Sequence, residues 1–309
     1  MPPSTQPVVQ PGAPKKEAPK ERSANEMMFL YGASIGAGVG TGVWIDALGK
    51  ITDPGAAVVA PALLGAAFPI GIYIWDNAET FGRGVPSSIA TGLLLGAGEG
   101  VLIASAAAIN TTADANKLSF GANASISWLT MIGGGVGGYF FGEWLRPDPR
   151  SMSFIASAAG WGLVSFGAIG HGTAASGSAW EVTSILGLVG YNVGIVSAGA
   201  LSTIFTPSYA QQEYMWLGYG LGAAAGFLVY PFYLFSDSKD IRGGMVANGF
   251  GALAGLGIAA ALTMDLKDDE DTKKAGSKMP VQLSFGPPPM VPGRSQQPEG
   301  FMISGFGQW

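Results

Sequence analysis

The sequence predicts an all-α integral membrane protein, a helical bundle of about eight spans packed through glycine stripes, and three observations predict it. Glycine recurs at every fourth residue inside long uncharged stretches, as Gly32-Gly36-Gly40, Gly92-Gly96-Gly100, Gly134-Gly138-Gly142 and Gly218-Gly222-Gly226, with a shorter Gly190-Gly194. In water a helix-interior Gly costs roughly 1 kcal/mol relative to Ala, whereas in a bilayer the same spacing lets two helix backbones approach closely. Charged residues make up 12% of the 309, about half the roughly 25% of soluble domains. Finally, apolar stretches at about 27–45, 56–75, 86–107, 124–145, 151–170, 180–205, 214–235 and 243–264 are each near the roughly 20 residues that cross about 30 Å of hydrocarbon as a helix.

The elements follow in order. Residues 1–26 carry Pro2, Pro3, Pro7, Pro11, Pro14 and Pro19 among mixed charges, too little apolar content to fold, so a disordered tail is expected there. No cleavable signal peptide of ordinary form is evident. Residues 27–264 form the transmembrane domain. Trp44, Trp75, Trp128, Trp144, Trp180 and Trp216 mark span ends, where an amphipathic indole is best placed, and Trp161 alone sits well inside a stretch. Pro69 and Pro231 fall inside stretches two and seven, where each removes a hydrogen bond and predicts a kink. Residues 265–309 form a polar, Pro-rich tail. Within it Val281–Phe285 and Phe301–Ser304 alternate and offer a short β-hairpin around Pro287-Pro288-Pro289.

A β-barrel in an outer membrane is the competing architecture, because a period of four is also a multiple of two and the chain ends in Trp309. A barrel needs alternating segments of about ten residues. Ser88-Ile-Ala-Thr-Gly-Leu-Leu-Leu-Gly-Ala-Gly98 does not alternate, and Ala-rich stretches are poor strand formers.

Stretches one, four and seven resemble one another, each with a glycine triplet and an aromatic ending followed by an acid (Asp46, Asp148, Asp237), and stretch three resembles stretch six. The implied unit is three spans, with successive units inverted, a recurrent device of secondary transporters. Eight spans put both termini on one side, together with Arg22, Arg83, Arg146 and Arg150, leaving Lys50, Lys117, Lys239 and Arg242 opposite. This excess places the termini in the cytoplasm, across a bacterial inner membrane. The runs Gly84-Val-Pro-Ser-Ser-Ile-Ala-Thr-Gly92 and Gly96-Ala-Gly-Glu-Gly100, within about residues 28–264, resemble uncharacterised Gly-rich multi-spanning membrane proteins of bacteria. That resemblance brings no activity with it.

The residues that carry chemistry are few. With no Cys, disulfide, thiol and thiolate-metal chemistry are excluded. His171 is the single histidine, so neither a zinc site nor a catalytic triad is expected, and it reads as a loop or interface residue. Gly133–Gly138 matches G-x-G-x-x-G, but neither the preceding strand nor the following acid of a dinucleotide site is present. Glu99 lies near the middle of stretch three, where a carboxyl is expensive and marks a proton or cation relay or a helix contact. Asn192, in stretch six, falls at the matching place, and a Glu99–Asn192 hydrogen bond would act as glue between helices. The expected function is therefore non-enzymatic, a structural or assembly role, with a small-solute or ion translocator using Glu99 as the alternative. No cofactor, metal or nucleic acid is expected. The partners are the lipid bilayer and itself or other membrane proteins.

Overall fold

Helices account for almost all of the apolar stretches. In the computed structural model the described residues are 22–111, 118–175, 177–235, 242–268, 281–286 and 302–307. The leader to residue 21, Lys117, Lys239 and Pro287-Pro288-Pro289 lie outside them. The described residues from Arg22 to Leu266 form one compact unit. It contains α1 (Ala24–Gly49), α2 (Val59–Ala78, after a 3-10 turn at Ala56–Val58), α3 (Val85–Asn110), α4 (Phe120–Leu145), α5 (Pro149–Thr173), α6 (Ala179–Leu201), α7 (Tyr209–Phe227), the short α8 (Tyr230–Phe235) and α9 (Arg242–Leu262). No strand occurs among the described residues of this unit, which corrects the barrel alternative. The segment Ser88–Gly98 is helical, as its failure to alternate requires. Beyond Leu266 a second unit holds β1 (Val281–Gly286) and β2 (Met302–Gly307), paired antiparallel with Val281 opposite Gly307 and Gly286 opposite Met302.

Local signals set the helix ends. Ser23, Ser119, Asp148 and Ser208 each cap an N-terminus, the side-chain oxygen accepting a backbone N–H of the first turn. Because Ser23 and Glu26 complete a capping box, α1 begins at Ala24, ahead of the apolar run and inside the expected tail. Lys50 and Arg146 close α1 and α4 in the left-handed region, each returning its N–H to the last turn. Pro69 sits within an unbroken α2. Stretch seven instead breaks after Phe227 and resumes at Tyr230, just ahead of Pro231, whose ring cannot follow a regular preceding turn.

The unit is apolar outside, and inside it buries two hydrophobic clusters, around Leu30, Phe81 and Ile89 and around Phe154, Trp161 and Met215, together with small polar residues. Trp144, Ile204 and Leu262 are at least 80% exposed, while Ser87 and Ser165 are fully buried. In water so continuous an apolar surface would aggregate, whereas lipid is as apolar as these side chains. Among the described residues seven helices are long and apolar enough to cross a membrane. The remaining long helix, α4, is diluted by Gly and Ser, yet it lies along α3 from Ser127 beside Gly100 to Gly142 beside Val85. It is therefore embedded with α3, and the protein is an integral membrane helical bundle.

Packing proceeds by consecutive pairs: α1 with α2, α3 with α4, α5 with α6, and α7 with α9. This differs from the three-span grouping expected from the sequence. At each pair glycines bring backbones together. A side-chain carbon placed at Gly92, Gly96 or Gly138 would land on the carbonyl of Gly134, Thr130 or Ser88 respectively. Gly134 meets Gly92, Gly100 meets Thr130 and Ser127, and Gly142 meets Val85 and Ser88. Across α7 and α9, Gly218, Gly222 and Gly226 face Gly255, Gly251 and Ala247. In α5 and α6, Gly162 faces Gly190, and Gly194 faces Ala158.

The first triplet departs from expectation. Nothing lies within 4 Å of a side-chain carbon at Gly32 or Gly36, and Gly40 meets only the Met131 thioether. The close glycine contacts of α1 with α2 are made instead by Gly38, on Leu64 and Gly65, and Gly42, on Pro61 and Ala60. Gly38 and Gly42 are themselves four apart and lie on a different face of α1, because two residues turn a helix by roughly 200°. Spacing identified the kind of contact but not which of two interleaved sets faces α2.

Candidate functional site

The polar residues expected at membrane depth meet on the seam between α3 and α6. Asn192 Nδ2 donates to Glu99 Oε2 at 3.0 Å and to its own helix at Leu188 O, 3.1 Å away. One residue earlier, Tyr191 is buried and its hydroxyl donates to Leu95 O at 2.9 Å. That hydroxyl occupies the space beside Gly98, where any side chain would collide with it. Towards the far end of α3, Asn110 Nδ2 donates to Ser184 Oγ at 3.3 Å. Three polar contacts therefore join two helices from separate pairs, and Gly98 makes room for one of them.

This arrangement locks helices more readily than it conducts. Glu99 is half-buried, and no cation pairs with it among the described residues. Neither Glu99 nor Asn192 lines any of three cavities in the bundle.

A cavity of about 700 Å³ lies between the end of α1 and the start of α4, with Asp46 and Lys50 in its wall. A groove of about 490 Å³ runs along Gly36 and Gly40 beneath the stacked rings of Trp44 and Trp128, whose centroids are 4.0 Å apart. The third, of about 530 Å³, lies among α3, α5, α6 and α9 and includes His171 and Asn248. His171, in the last turn of α5, has Nδ1 3.2 Å from Thr183 Oγ1 and stands edge-on to Trp180. Gly133–Gly138 lies inside α4.

Other buried polar groups escaped the sequence reading. Gln211 reaches Ala260 O at 3.1 Å, and Gln212 reaches Arg150 O at 3.0 Å. Asn248 donates to Ala223 O at 2.9 Å, and Tyr219 is 3.0 Å from Ser165. Each sits near a helix end or amid small residues, where one polar side chain satisfies a neighbouring carbonyl. Asn248 was signalled only by its place in the Gly-rich run Ala247–Gly251.

A second polar cluster ties together the ends of α1 to α5. Arg22 forms a two-pronged ion pair with Asp76, Nη2 meeting Oδ2 at 2.6 Å. Glu26, 1% exposed, accepts the Gly84 N–H at 2.7 Å and the Ser23 N–H at 3.1 Å. Gly84 takes φ +87° against Pro147, a conformation and a space that admit no side chain. Burial pushes the Asp148 carboxyl upward, but hydrogen bonds from Arg150 and the charges of Arg150 and Arg83 outweigh it and hold the group below the usual carboxylate range.

Comparison of the chain with family models, curated proteins and solved structures finds no match.

Proposed function

We propose that this chain is a non-enzymatic integral membrane protein with a structural or assembly role, a rigid support on which lipids and other membrane proteins organise. The observation that carries the reading is the state of Glu99. Its half-buried carboxyl takes a hydrogen bond from Asn192 on a neighbouring helix and lines none of the three cavities. The bundle's other polar depth contacts likewise end on backbone carbonyls or hydroxyls.

The glycine pairs support a rigid frame of repeated helical hairpins. The first helices of the four pairs are capped at Ser23, Gly84, Asp148 and Ser208, about 60 residues apart. Units of two spans all enter from the same side, so the repeat is parallel and not inverted. Arg22, Arg83, Arg146 and Arg150 gather at the entry end, with Lys50 and Arg242 at the other, which favours cytoplasmic entry from a bacterial inner membrane.

A translocator is the second reading, favoured by one observation: a carboxyl midway along α3 has an amide and no cation as its partner. Proteoliposomes loaded with a pH-sensitive dye separate the two. The structural reading expects no proton flux above protein-free vesicles. It also expects Asn192→Ala to remove about 0.6 kcal/mol of stability. Flux in the wild type that Glu99→Gln abolishes would establish the relay and overturn the structural reading.

A further inference from the structure

The cavity at the end of α1 has features that no helix contact requires. Its wall combines Asp46, Lys50 and Thr52 with Ser119 and apolar side chains, among them Ile51 and Phe120. Asp46 is 7% exposed, and its Oδ1 is fully buried without a hydrogen-bond partner among the described residues. The backbone carbonyl of Asp46 is satisfied, accepting from Lys50 N–H and from Ile51 N–H at 3.0 Å, so only the side chain is left wanting. A carboxyl buried without a partner is costly. The position aggravates the cost, since Asp46 lies in the last turn of α1, where the helix dipole already presents negative potential and favours a cation.

Lys50, four residues on, lines the same cavity, but no ion pair joins it to Asp46. The site therefore offers an unpaired acidic group and a basic group, separately, at the end of a span. Leu48, Ile51 and Phe120, all in the cavity wall, are 53%, 40% and 68% exposed, so apolar surface continues outward from the cavity. A volume of about 700 Å³ is within the roughly 300–1,000 Å³ of small-molecule sites.

We propose that this cavity binds the zwitterionic headgroup of a primary-amine phospholipid of the phosphatidylethanolamine class. The ammonium donates to Asp46, the phosphate lies at Lys50, and the acyl chains run down Ile51 and Phe120. Of the headgroups a bilayer offers, this one matches both charges and also brings N–H donors. Phosphatidylglycerol lacks the cation, and phosphatidylcholine has the cation without a donor.

Native mass spectrometry of the full-length protein, delipidated and then titrated with dioleoyl-phosphatidylethanolamine, -phosphatidylglycerol or -phosphatidylcholine, tests the assignment. The wild type is expected to retain phosphatidylethanolamine about fivefold better than either of the others, the scale of one net hydrogen bond. Asp46→Asn should bring the three to near equality, while Lys50→Gln should weaken all three and keep their order. Equal retention by the wild type overturns the proposal, and so does a preference that survives Asp46→Asn. If Asp46→Asn does not fold, the wild-type order and the Lys50→Gln series decide the matter, because phosphatidylcholine or phosphatidylglycerol matching phosphatidylethanolamine in either refutes it.

Discussion

Gly138→Leu is expected to abolish recovery of folded, monodisperse protein, while Gly137→Leu on the same turn of α4 leaves it intact. The two substitutions add the same side chain to the same helix, so propensity and apolarity are matched. They differ in what the new side chain meets. At Gly138 it lands on the Ser88 carbonyl and crowds Ile89 Cα at 3.1 Å, whereas at Gly137 nothing lies within 4 Å. Backbone cannot rotate aside as a flexible side chain can, so α3 and α4 must separate along their contact. Overpacking of a well-packed core usually costs about 1–3 kcal/mol. Displacing a whole helix crossing forfeits many contacts at once and places Gly138→Leu at or beyond the upper end of that range. Size-exclusion profiles in mild detergent, followed by thermal unfolding, read the difference directly. Equal behaviour of the two variants would show that α3 and α4 are not joined at this face.

Glu26→Ala carries the second large effect. The Glu26 carboxyl joins the start of α1 to the turn that opens α3, holding both the Ser23 and Gly84 N–H groups in a buried place. Removing it leaves the Gly84 N–H without its acceptor in a turn that lies close against Pro147. A buried donor stripped of its acceptor costs about 1–3 kcal/mol, and loss of the capping box adds to this, so a total of about 3 kcal/mol is expected. Glu26→Gln keeps an acceptor oxygen for Gly84 and should lose no more than about half as much. Equilibrium unfolding in mixed detergent micelles measures both. A Glu26→Ala variant as stable as the wild type would mean that the α1–α3 tie contributes nothing.

The sequence makes the class legible because the bilayer imposes a length and a polarity on every span. The helix positions therefore match the apolar stretches closely, and even the break near Pro231 follows from local chemistry. The Glu99–Asn192 pair was legible for a related reason, since polar side chains at depth are few and seek one another. What the sequence does not hold is rotation about a helix axis. In α1, glycines at 32, 36 and 40 interleave with those at 38 and 42, and both sets have the spacing of a packing face. Only the position of α2 chooses between them. Asp46 was hidden for a similar reason: it reads as an ordinary charge at a span end until the fold buries it beside the start of α4. The grouping of helices into pairs also depends on tertiary contacts, and resemblance among Gly-rich stretches suggested a longer unit than the one that packs.

The face of α1 supplies the most direct test, because there spacing and geometry disagree. Gly36 belongs to the conspicuous triplet but opens onto a groove, and Gly38 lies against the Leu64 carbonyl of α2. The measurement is the folded fraction and unfolding midpoint of Gly36→Leu and Gly38→Leu, purified side by side. If backbone contact between paired helices holds this protein together, Gly36→Leu remains folded with an unfolding midpoint close to that of the wild type, and Gly38→Leu fails to fold. The reverse pattern, with Gly38→Leu tolerated and Gly36→Leu lost, would contradict the pairing of α1 with α2 and the packing account built on it.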